Sequence, residues 1–292
     1  MHIRVGGFTI RAAWIGPEPQ GLRLSPSPAA APFAVDPCPP DVAIEVDIGI
    51  AGDDLTRECL FDSGGPWRLY RDDEGFLFCF FASTFGERPY KTARFTPDFS
   101  RGRVTLAREF FAGAASVDPL DYPLDELLVI ALLAQGRGLE VHACGVADES
   151  GAGYLFVGQS GAGKSTMARL WTAEAGAVIL SDDRIVLRQH DDDLWIYGTP
   201  WHGEAPLASP ARARLDRVFF LRHARSDELR DVGPTDAAAR LFAASFPLFH
   251  DARAVAFSLA FLESVVTRVP CHELLFVPSA AVLGLLSAPA SS

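Results

Sequence analysis

A nine-residue segment, GQSGAGKST at residues 158–166, limits what this chain can fold into more than any other part of the sequence. It matches the pattern Gly-x-x-x-x-Gly-Lys-Ser/Thr and lies between an apolar run, YLFVG, and a run of helix-forming residues. Glycines at such a strand-to-helix junction let backbone N–H groups point at phosphate oxygens, and the helix N-terminus adds the positive end of its dipole. The sequence therefore predicts a phosphate-binding loop for ATP or a related triphosphate, formed by Gly158, Gln159, Ser160, Gly161, Ala162, Gly163, Lys164, Ser165 and Thr166.

Two side chains in this loop, together with an acidic pair beyond it, predict the chemistry of the site. Lys164 is placed to reach the β- and γ-phosphates and Ser165 offers a hydroxyl to Mg²⁺, so the expected cofactors are ATP and Mg²⁺. Asp182 and Asp183 close the segment VILSDD, eighteen and nineteen positions after Lys164. Acids at the end of a buried strand can face the same phosphates, and two adjacent acids can divide metal binding from acceptance of a proton.

Hydrophobic periodicity separates the chain into two parts. From Val42 to Ile50 apolar residues alternate with polar or small ones, and other short, aromatic-rich runs up to about residue 118 are also typical of strands. Six prolines within residues 26–40 predict an extended loop among them. The predicted fold class is α/β (α+β), with an antiparallel β-rich N-terminal domain at residues 1–118 and a mixed-sheet P-loop nucleotide domain at residues 119–292.

The second part alternates helices with short strands. LDELLVIALLAQ predicts a buried helix, LEVHACGV and YLFVG predict strands, and the residues after the phosphate loop predict a helix that ends near Gly176. RIVLR and LWIYG flank a polar tip at Asp191–Asp193 and predict a β-hairpin, whose tip is interpreted as a solvated turn. TDAAARLFAAS and DARAVAFSLAFLESVV predict two further helices, and HELLFV predicts a last strand.

Composition narrows the partners and the compartment. A formal net charge of −11 would repel a nucleic-acid backbone, so nucleic acid is not an expected partner. The five cysteines are scattered without a Cys-x-x-Cys pair, which indicates reduced structural thiols. No run approaches the ~20 apolar residues of a membrane span, and the start of the chain lacks a leader pattern. We expect a cytoplasmic protein that does not insert into a membrane; a homo-oligomer stays open.

The loop, the acidic doublet and a histidine upstream of them together resemble the HPr kinase/phosphorylase family. The resemblance covers residues 140–190 and consists of His142 sixteen positions ahead of Gly158, the loop GQSGAGKS, and LSDDRIVL. It implies a C-terminal domain related in fold to the phosphoenolpyruvate carboxykinases. It also implies that His142 and Asp182 cooperate in handling a proton, and that Asp183 lies on the metal side with Ser165.

Outside these motifs the sequence departs from that family in two places and resembles a subgroup of it in others. Thr166 stands where the family usually has Glu, and there is no equivalent of its EIRG-type loop. The long β-rich N-terminal part, GTPWHGE at residues 198–204 and PCHELLFVP resemble HPr-kinase-related proteins found with peptide-modification pathways, some of which phosphorylate a serine of a precursor peptide. Trp201, His202 and Glu204 follow a hairpin strand, which favours an active-site loop of undefined role.

The sequence as a whole favours a Mg-ATP-dependent kinase. It would transfer the γ-phosphoryl group to a hydroxyl, a Ser or Thr of a peptide or protein, with catalysis by Asp182, His142 and Lys164. The N-terminal domain would recognise this acceptor. Three alternatives stay open: an NTP-hydrolysing switch or ATPase, a non-catalytic nucleotide sensor, and a small-molecule kinase. The sequence does not identify the acceptor, the choice between ATP and GTP, or whether the reaction also runs backward.

Overall fold

A computed structural model describes residues 1–19, 21–52, 58–174, 176–203, 205 and 207–286. The chain divides by its contacts into two units, Met1–Leu132 and Leu133–Ser292. The sequence placed the boundary at residues 118 and 119, so the predicted buried helix now falls almost wholly in the first unit. Both units contain mixed sheets, and the fold is mixed α/β. No helix among the described residues is long and apolar enough to cross a membrane.

The first unit is built on an eight-stranded sheet in the order β1-β2-β4-β9-β8-β7-β6-β5, beside a two-stranded pair of β3 and β10. The α-helix described in this unit, α1 (Leu124–Leu133), ends at the division between the units. The strands are β1 (His2–Val5), β2 (Phe8–Trp14), β3 (Arg23–Leu24), β4 (Val42–Gly49), β5 (Glu58–Asp62), β6 (Trp67–Asp72), β7 (Gly75–Phe80), β8 (Lys91–Phe95), β9 (Arg101–Ala107) and β10 (Ser116–Val117).

The alternating pattern of β4 is confirmed, because Val42, Ile44 and Val46 are buried while Glu45 is exposed. The expectation of a purely antiparallel sheet was wrong at two places, since β2 pairs with β4 and β4 with β9 in parallel. A parallel pair needs a long crossover connection instead of a tight hairpin. Here the proline-containing connection before β4 carries the chain back to the same end of the sheet, and β5 to β8 intervene before β9.

The described residues of the second unit form one mixed sheet of eight strands. The path β12-β11-β14-β15-β16-β18-β17 is joined by β13 on β11, and an extra pairing of β12 with β16 closes five of these strands into a ring. The elements are β11 (Leu139–Ala147), β12 (Ala152–Val157), α2 (Lys164–Thr172), β13 (Val178–Ser181), β14 (Arg184–His190), β15 (Asp193–Tyr197), β16 (Arg212–His223), β17 (Glu228–Asp231), α3 (Pro234–Ala243), α4 (Ala252–Arg268), β18 (Cys271–Phe276) and α5 (Ala281–Leu286). The predicted hairpin, the helix after the phosphate loop and the two later helices are confirmed.

Two apolar clusters cover the two faces of this second sheet. Side chains of α3 and α4 pack with Val141 and Leu155 on one face, whereas side chains of α2 and α5 pack with Cys144 and Phe156 on the other. Successive residues of a strand point to opposite faces, so β11 and β12 contribute to both clusters. The loop between β12 and α2 is thereby held at the end of a strand that is buried on both sides.

A fully buried lysine organises the first unit. Lys91 on β8 is 0% exposed, and its Nζ donates to the backbone oxygen of Asp121 at 3.2 Å and to the Asp121 carboxylate. The ammonium also lies 4.6 Å from the ring centroid of Phe80. Burial lowers the pKa of Lys91, although the nearby carboxylates of Asp121, Asp125 and Asp118 oppose this effect. The ammonium thus attaches the segment that leads into α1 to the sheet of the same unit.

Replacement of this lysine should destabilise the first unit strongly. Lys91→Met retains most of the apolar stem but removes the donor, which leaves the Asp121 carbonyl and carboxylate without their buried partner. We expect a loss of about 3 kcal/mol in unfolding free energy, the scale for breaking a buried ion pair. Urea unfolding followed by fluorescence measures it. Arg88→Met, which breaks the exposed pair with Glu109, is the matched control and should change little; equal losses in the two variants would contradict this role of Lys91.

Candidate active site

The predicted phosphate loop connects β12 to α2, and close neighbours leave no room for a side chain at two of its glycines. Gly163 has φ +106°, and a Cβ there would lie 2.5 Å from Cζ of Phe276 and 3.1 Å from Cε1 of His223. A Cβ at Gly158 would lie 2.7 Å from the Cβ of Ala162. The His223 ring also contacts the loop through Nε2, 3.1 Å from the Gly161 oxygen. The loop is therefore shaped from outside by β16 and β18 as well as by its own sequence.

Lys164 begins α2 and folds back over this loop. Its Nζ donates to the backbone oxygens of Gly158 at 2.8 Å and Gln159 at 3.3 Å, and the residue is 7% exposed. Burial lowers the pKa of Lys164, an effect that the carboxylate of Asp183 opposes. The ammonium thus lies against the loop backbone, where phosphate oxygens could replace the two carbonyl acceptors.

Asp182 lies directly after β13 and faces the phosphate loop. It is 1% exposed, and its Oδ2 is 3.5 Å from the hydroxyl of Ser165. Two backbone N–H groups also donate to this carboxylate, from Gly203 to Oδ1 at 2.8 Å and from Ala205 to Oδ2 at 3.1 Å. The structure therefore places Asp182 beside the hydroxyl that the sequence assigned to Mg²⁺.

Asp183 faces the other way and contacts the histidine. Its Oδ1 lies 2.9 Å from Nε2 of His142, and its Oδ2 accepts from Nη1 of Arg184. The sequence paired His142 with Asp182, and the structure instead pairs it with Asp183. The reason is the register of β11 with β14, which sets His142 opposite Arg184 and brings the residue next to Arg184 within reach of the imidazole.

The charges around Asp183 keep its carboxylate ionised. Burial raises the pKa of Asp183, but the hydrogen bond from His142 and the charges of Arg184 and Lys164 together lower it below its ordinary value. Because an ionised carboxylate only accepts hydrogen bonds, Nε2 of His142 must be the donor. In the neutral imidazole Nδ1 is then the acceptor, which is the form of histidine that can take a proton.

The sequence interpretation did not identify three further residues at this site, which are Arg184, Glu140 and Phe246. Nε of Arg184 lies 3.5 Å from Oε1 of Glu140, which is 0% exposed, and the guanidinium carbon lies 4.4 Å from the ring centroid of Phe246. One signal was visible in the sequence: Glu140 precedes His142 by two positions, so both point to the same face of a strand that is otherwise apolar. Phe246, far along the chain, had no such signal.

The segment GTPWHGE contacts the site mainly through its backbone. The hydroxyl of Ser181 donates to the Trp201 oxygen at 3.2 Å, and Trp201 itself is buried. The neighbouring N–H group of Gly203 binds Asp182 as described above, whereas the ring of exposed His202 lies 3.1 Å from the adjacent Gly203 oxygen. Glu204 lies outside the described residues.

The donor set fits a magnesium–nucleotide complex. Mg²⁺ prefers one or two protein oxygen ligands together with phosphate oxygens and water. The Ser165 hydroxyl and the Asp182 carboxylate are such a pair, and the loop N–H groups and Lys164 suit phosphate. Among the described residues no three His, Cys, Asp or Glu side chains are grouped so that they could hold a metal by themselves.

Comparison with known proteins gives a distant likeness among solved structures. No protein-family model matches the chain, and no curated protein matches it. Among solved structures, an HPr(Ser) kinase/phosphatase from Coxiella burnetii matches with 11% sequence identity and a TM-score of 0.26, over 50% of this chain and 85% of that one.

Removal of the loop cation should weaken nucleotide binding. Because Lys164 is buried, Lys164→Met, which keeps most of its apolar stem, is a better variant than Lys164→Ala. We expect affinity for Mg-ATP to fall about 10- to 100-fold, the equivalent of about 1.5 to 3 kcal/mol for a hydrogen bond to a charged group. Isothermal titration calorimetry measures the change. Arg169→Met removes a cation from the exposed side of the same helix and should bind normally; similar affinities for the two variants would refute the role of Lys164.

Proposed function

We propose that this protein is a Mg-ATP-dependent kinase that transfers the γ-phosphoryl group to a hydroxyl of a peptide or protein. The observation that carries the proposal is the division of the acidic doublet: Asp182 faces Ser165 of the phosphate loop, whereas Asp183 faces His142. A site that only binds a nucleotide has no need of a carboxylate–imidazole pair beside the metal site. The division supports two adjacent functions, one for the metal and one for a proton.

On the metal side, we assign Ser165 and Asp182 as the protein ligands of Mg²⁺, which exchanges the roles of the two aspartates expected from the family resemblance. Bound Mg²⁺ would neutralise charge on the β- and γ-phosphate oxygens. Lys164 would exchange its two carbonyl acceptors for phosphate oxygens. The N–H groups of Gly203 and Ala205 orient the Asp182 carboxylate, so its geometry is set before the nucleotide arrives.

On the proton side, His142 and Asp183 act as one unit. The hydroxyl proton moves to Nδ1 of His142 while Asp183 holds the Nε2–H group and stabilises the resulting imidazolium. The hydroxyl oxygen forms a bond to the γ-phosphorus, the bond from that phosphorus to the β,γ-bridging oxygen breaks, and ADP leaves. Asp183 itself is a poor proton acceptor, because its own pKa is held low by His142, Arg184 and Lys164.

A peptide or protein acceptor is supported by the accessibility of this pair. The side chains of His142 and Asp183 are 31% and 26% exposed, so a hydroxyl carried on a large molecule can approach them. We further propose that the first unit recognises the acceptor. Among the described strands β5 pairs only with β6, which leaves an exposed edge for an extended peptide. Serine as the acceptor residue is proposed from the resemblance described above.

Separate substitutions in the doublet should separate binding from transfer. Asp182→Asn should weaken Mg-dependent nucleotide affinity, because it removes a metal ligand. Asp183→Asn should leave that affinity nearly unchanged but lower phosphoryl transfer by ~100-fold, the scale for a positioned acid–base pair. Nucleotide titrations with and without Mg²⁺ and single-turnover transfer measure the two effects. Magnesium-dependent binding lost in Asp183→Asn but kept in Asp182→Asn would restore the assignment made from the sequence.

The pair should also show strong non-additivity. His142→Ala and Asp183→Asn each should reduce transfer ~100-fold, and the double variant should be no slower than either, because each substitution removes the whole unit.

The acceptor is first found by incubating the protein with labelled ATP and host-cell extract. Label on a protein or peptide supports the kinase, label released as phosphate alone supports an ATPase, label on a metabolite supports a small-molecule kinase, and no transfer supports a nucleotide sensor.

A further inference from the structure

Arg184 lies at the centre of a set of contacts that the proposed reaction does not by itself require. It is the first residue of β14 and lies opposite His142 in the antiparallel pairing of β11 with β14. Residues directly opposite in such a pair project from the same face of the sheet. Glu140, two residues before His142 on β11, projects from that face as well. The strand pairing therefore brings Glu140, His142 and Arg184 together without help from any flexible loop.

A glutamate at position 140 carries a large desolvation cost. It is 0% exposed within a strand whose neighbours Leu139 and Val141 are core residues. Moving a carboxylate out of water costs several kcal/mol, and an ion pair in the interior rarely returns more than this cost. The Arg184 guanidinium, with Nε 3.5 Å from Oε1, supplies the opposite charge. A well-packed apolar pair would give the strand equal or greater stability, so the ion pair points to a role in orientation.

Phe246 closes the other side of the guanidinium. Its ring centroid lies 4.4 Å from Cζ of Arg184, and its backbone N–H donates to the oxygen of Glu140 at 3.0 Å. The same segment accepts a hydrogen bond from the His142 N–H at the Ala244 oxygen, at 2.7 Å. A planar guanidinium that stacks on a ring and forms an ion pair along its edge has little rotational freedom.

We infer that Arg184, held by Glu140 and Phe246, is a positioning residue that orients the Asp183 carboxylate toward His142. Nη1 of Arg184 binds Oδ2 of Asp183, which directs Oδ1 to Nε2 of His142. This inference rests on the proposed kinase function, because it assigns Asp183 and His142 to the proton transfer. In this role Arg184 acts through Asp183.

The need for a positioning cation follows from the other charges in the site. Lys164 also attracts the Asp183 carboxylate, and it belongs to the phosphate side. Without Arg184, the carboxylate would be drawn toward the Lys164 ammonium and away from the imidazole. A lysine at position 184 would not substitute, since an ammonium lacks the planar fork that binds Glu140 and Asp183 at the same time.

The decisive experiment compares Arg184→Lys with Arg188→Lys, the same change four residues further along β14. The Arg188 side chain donates to the backbone oxygen of Arg137 and lies outside the site. Arg184→Lys should reduce single-turnover transfer about 10- to 100-fold, the scale for a misplaced catalytic group, with Mg-ATP affinity within about twofold of wild type. Arg188→Lys should transfer at the wild-type rate. Glu140→Gln, which removes the charge that holds Arg184, should show the same split between transfer and affinity, with a smaller loss.

Two further measurements exclude a merely structural role. In an Asp183→Asn background, Arg184→Lys should cause no additional loss, because its target carboxylate is already absent. Transfer by Arg184→Ala should be restored in part by methylguanidinium in solution and not by methylammonium. Independent losses for Arg184 and Asp183, or equal rescue by both cations, would overturn the inference while leaving the kinase proposal intact. Wild-type transfer rates in both the Asp183→Asn variant and the Arg184→Lys variant would overturn the inference and the kinase proposal alike.

Discussion

The antiparallel pairing of β11 with β14 is the constraint on which the rest of the site depends. It sets His142 opposite Arg184, and it orders Glu140 and His142 along one face of β11. A shift of one residue in this register would turn both side chains into the apolar cluster on the other face, where Val141 now packs. The positions of the imidazole and the guanidinium are therefore properties of the sheet, and the burial of Val141 and Ile185 holds that register in place.

The charged groups of the site lie in a part of the second unit that is largely shielded from solvent. Lys164, Asp182 and Glu140 are each nearly or fully buried, and Asp183 and Arg184 are partly so. Such groups lower the stability of a fold unless their partners are well placed, and here each carboxylate faces a cation or two N–H donors. In the proposed reaction, fixed charges in a region of low dielectric would act more strongly on the phosphoryl group than the same charges in water, and they would need no reorganisation. The buried charges lower the stability of the fold, but they hold the side chains of the site in fixed orientations.

The phosphate loop depends on the same sheet in a different way. β12 pairs with β16 in parallel, so β16 ends beside the loop and His223 reaches the Gly161 oxygen. β18 pairs with β16 in parallel and places Phe276 against Gly163. A side chain at position 163 would therefore collide with aromatic rings from two other strands, so Gly163 is needed for packing as well as for its positive φ.

The sequence alone determined the features that depend on neighbouring residues. The glycine spacing predicted the loop, the apolar runs predicted the strands and helices around it, and the doublet predicted acids at the end of a strand. Only the tertiary structure decided that Asp182 faces Ser165 and Asp183 faces His142, that β4 has two parallel neighbours, and that Arg184 lies between Glu140 and Phe246. The physical reason is that local propensity follows from residues within a few positions of each other, whereas strand register and side-chain direction follow from packing between residues up to about a hundred positions apart.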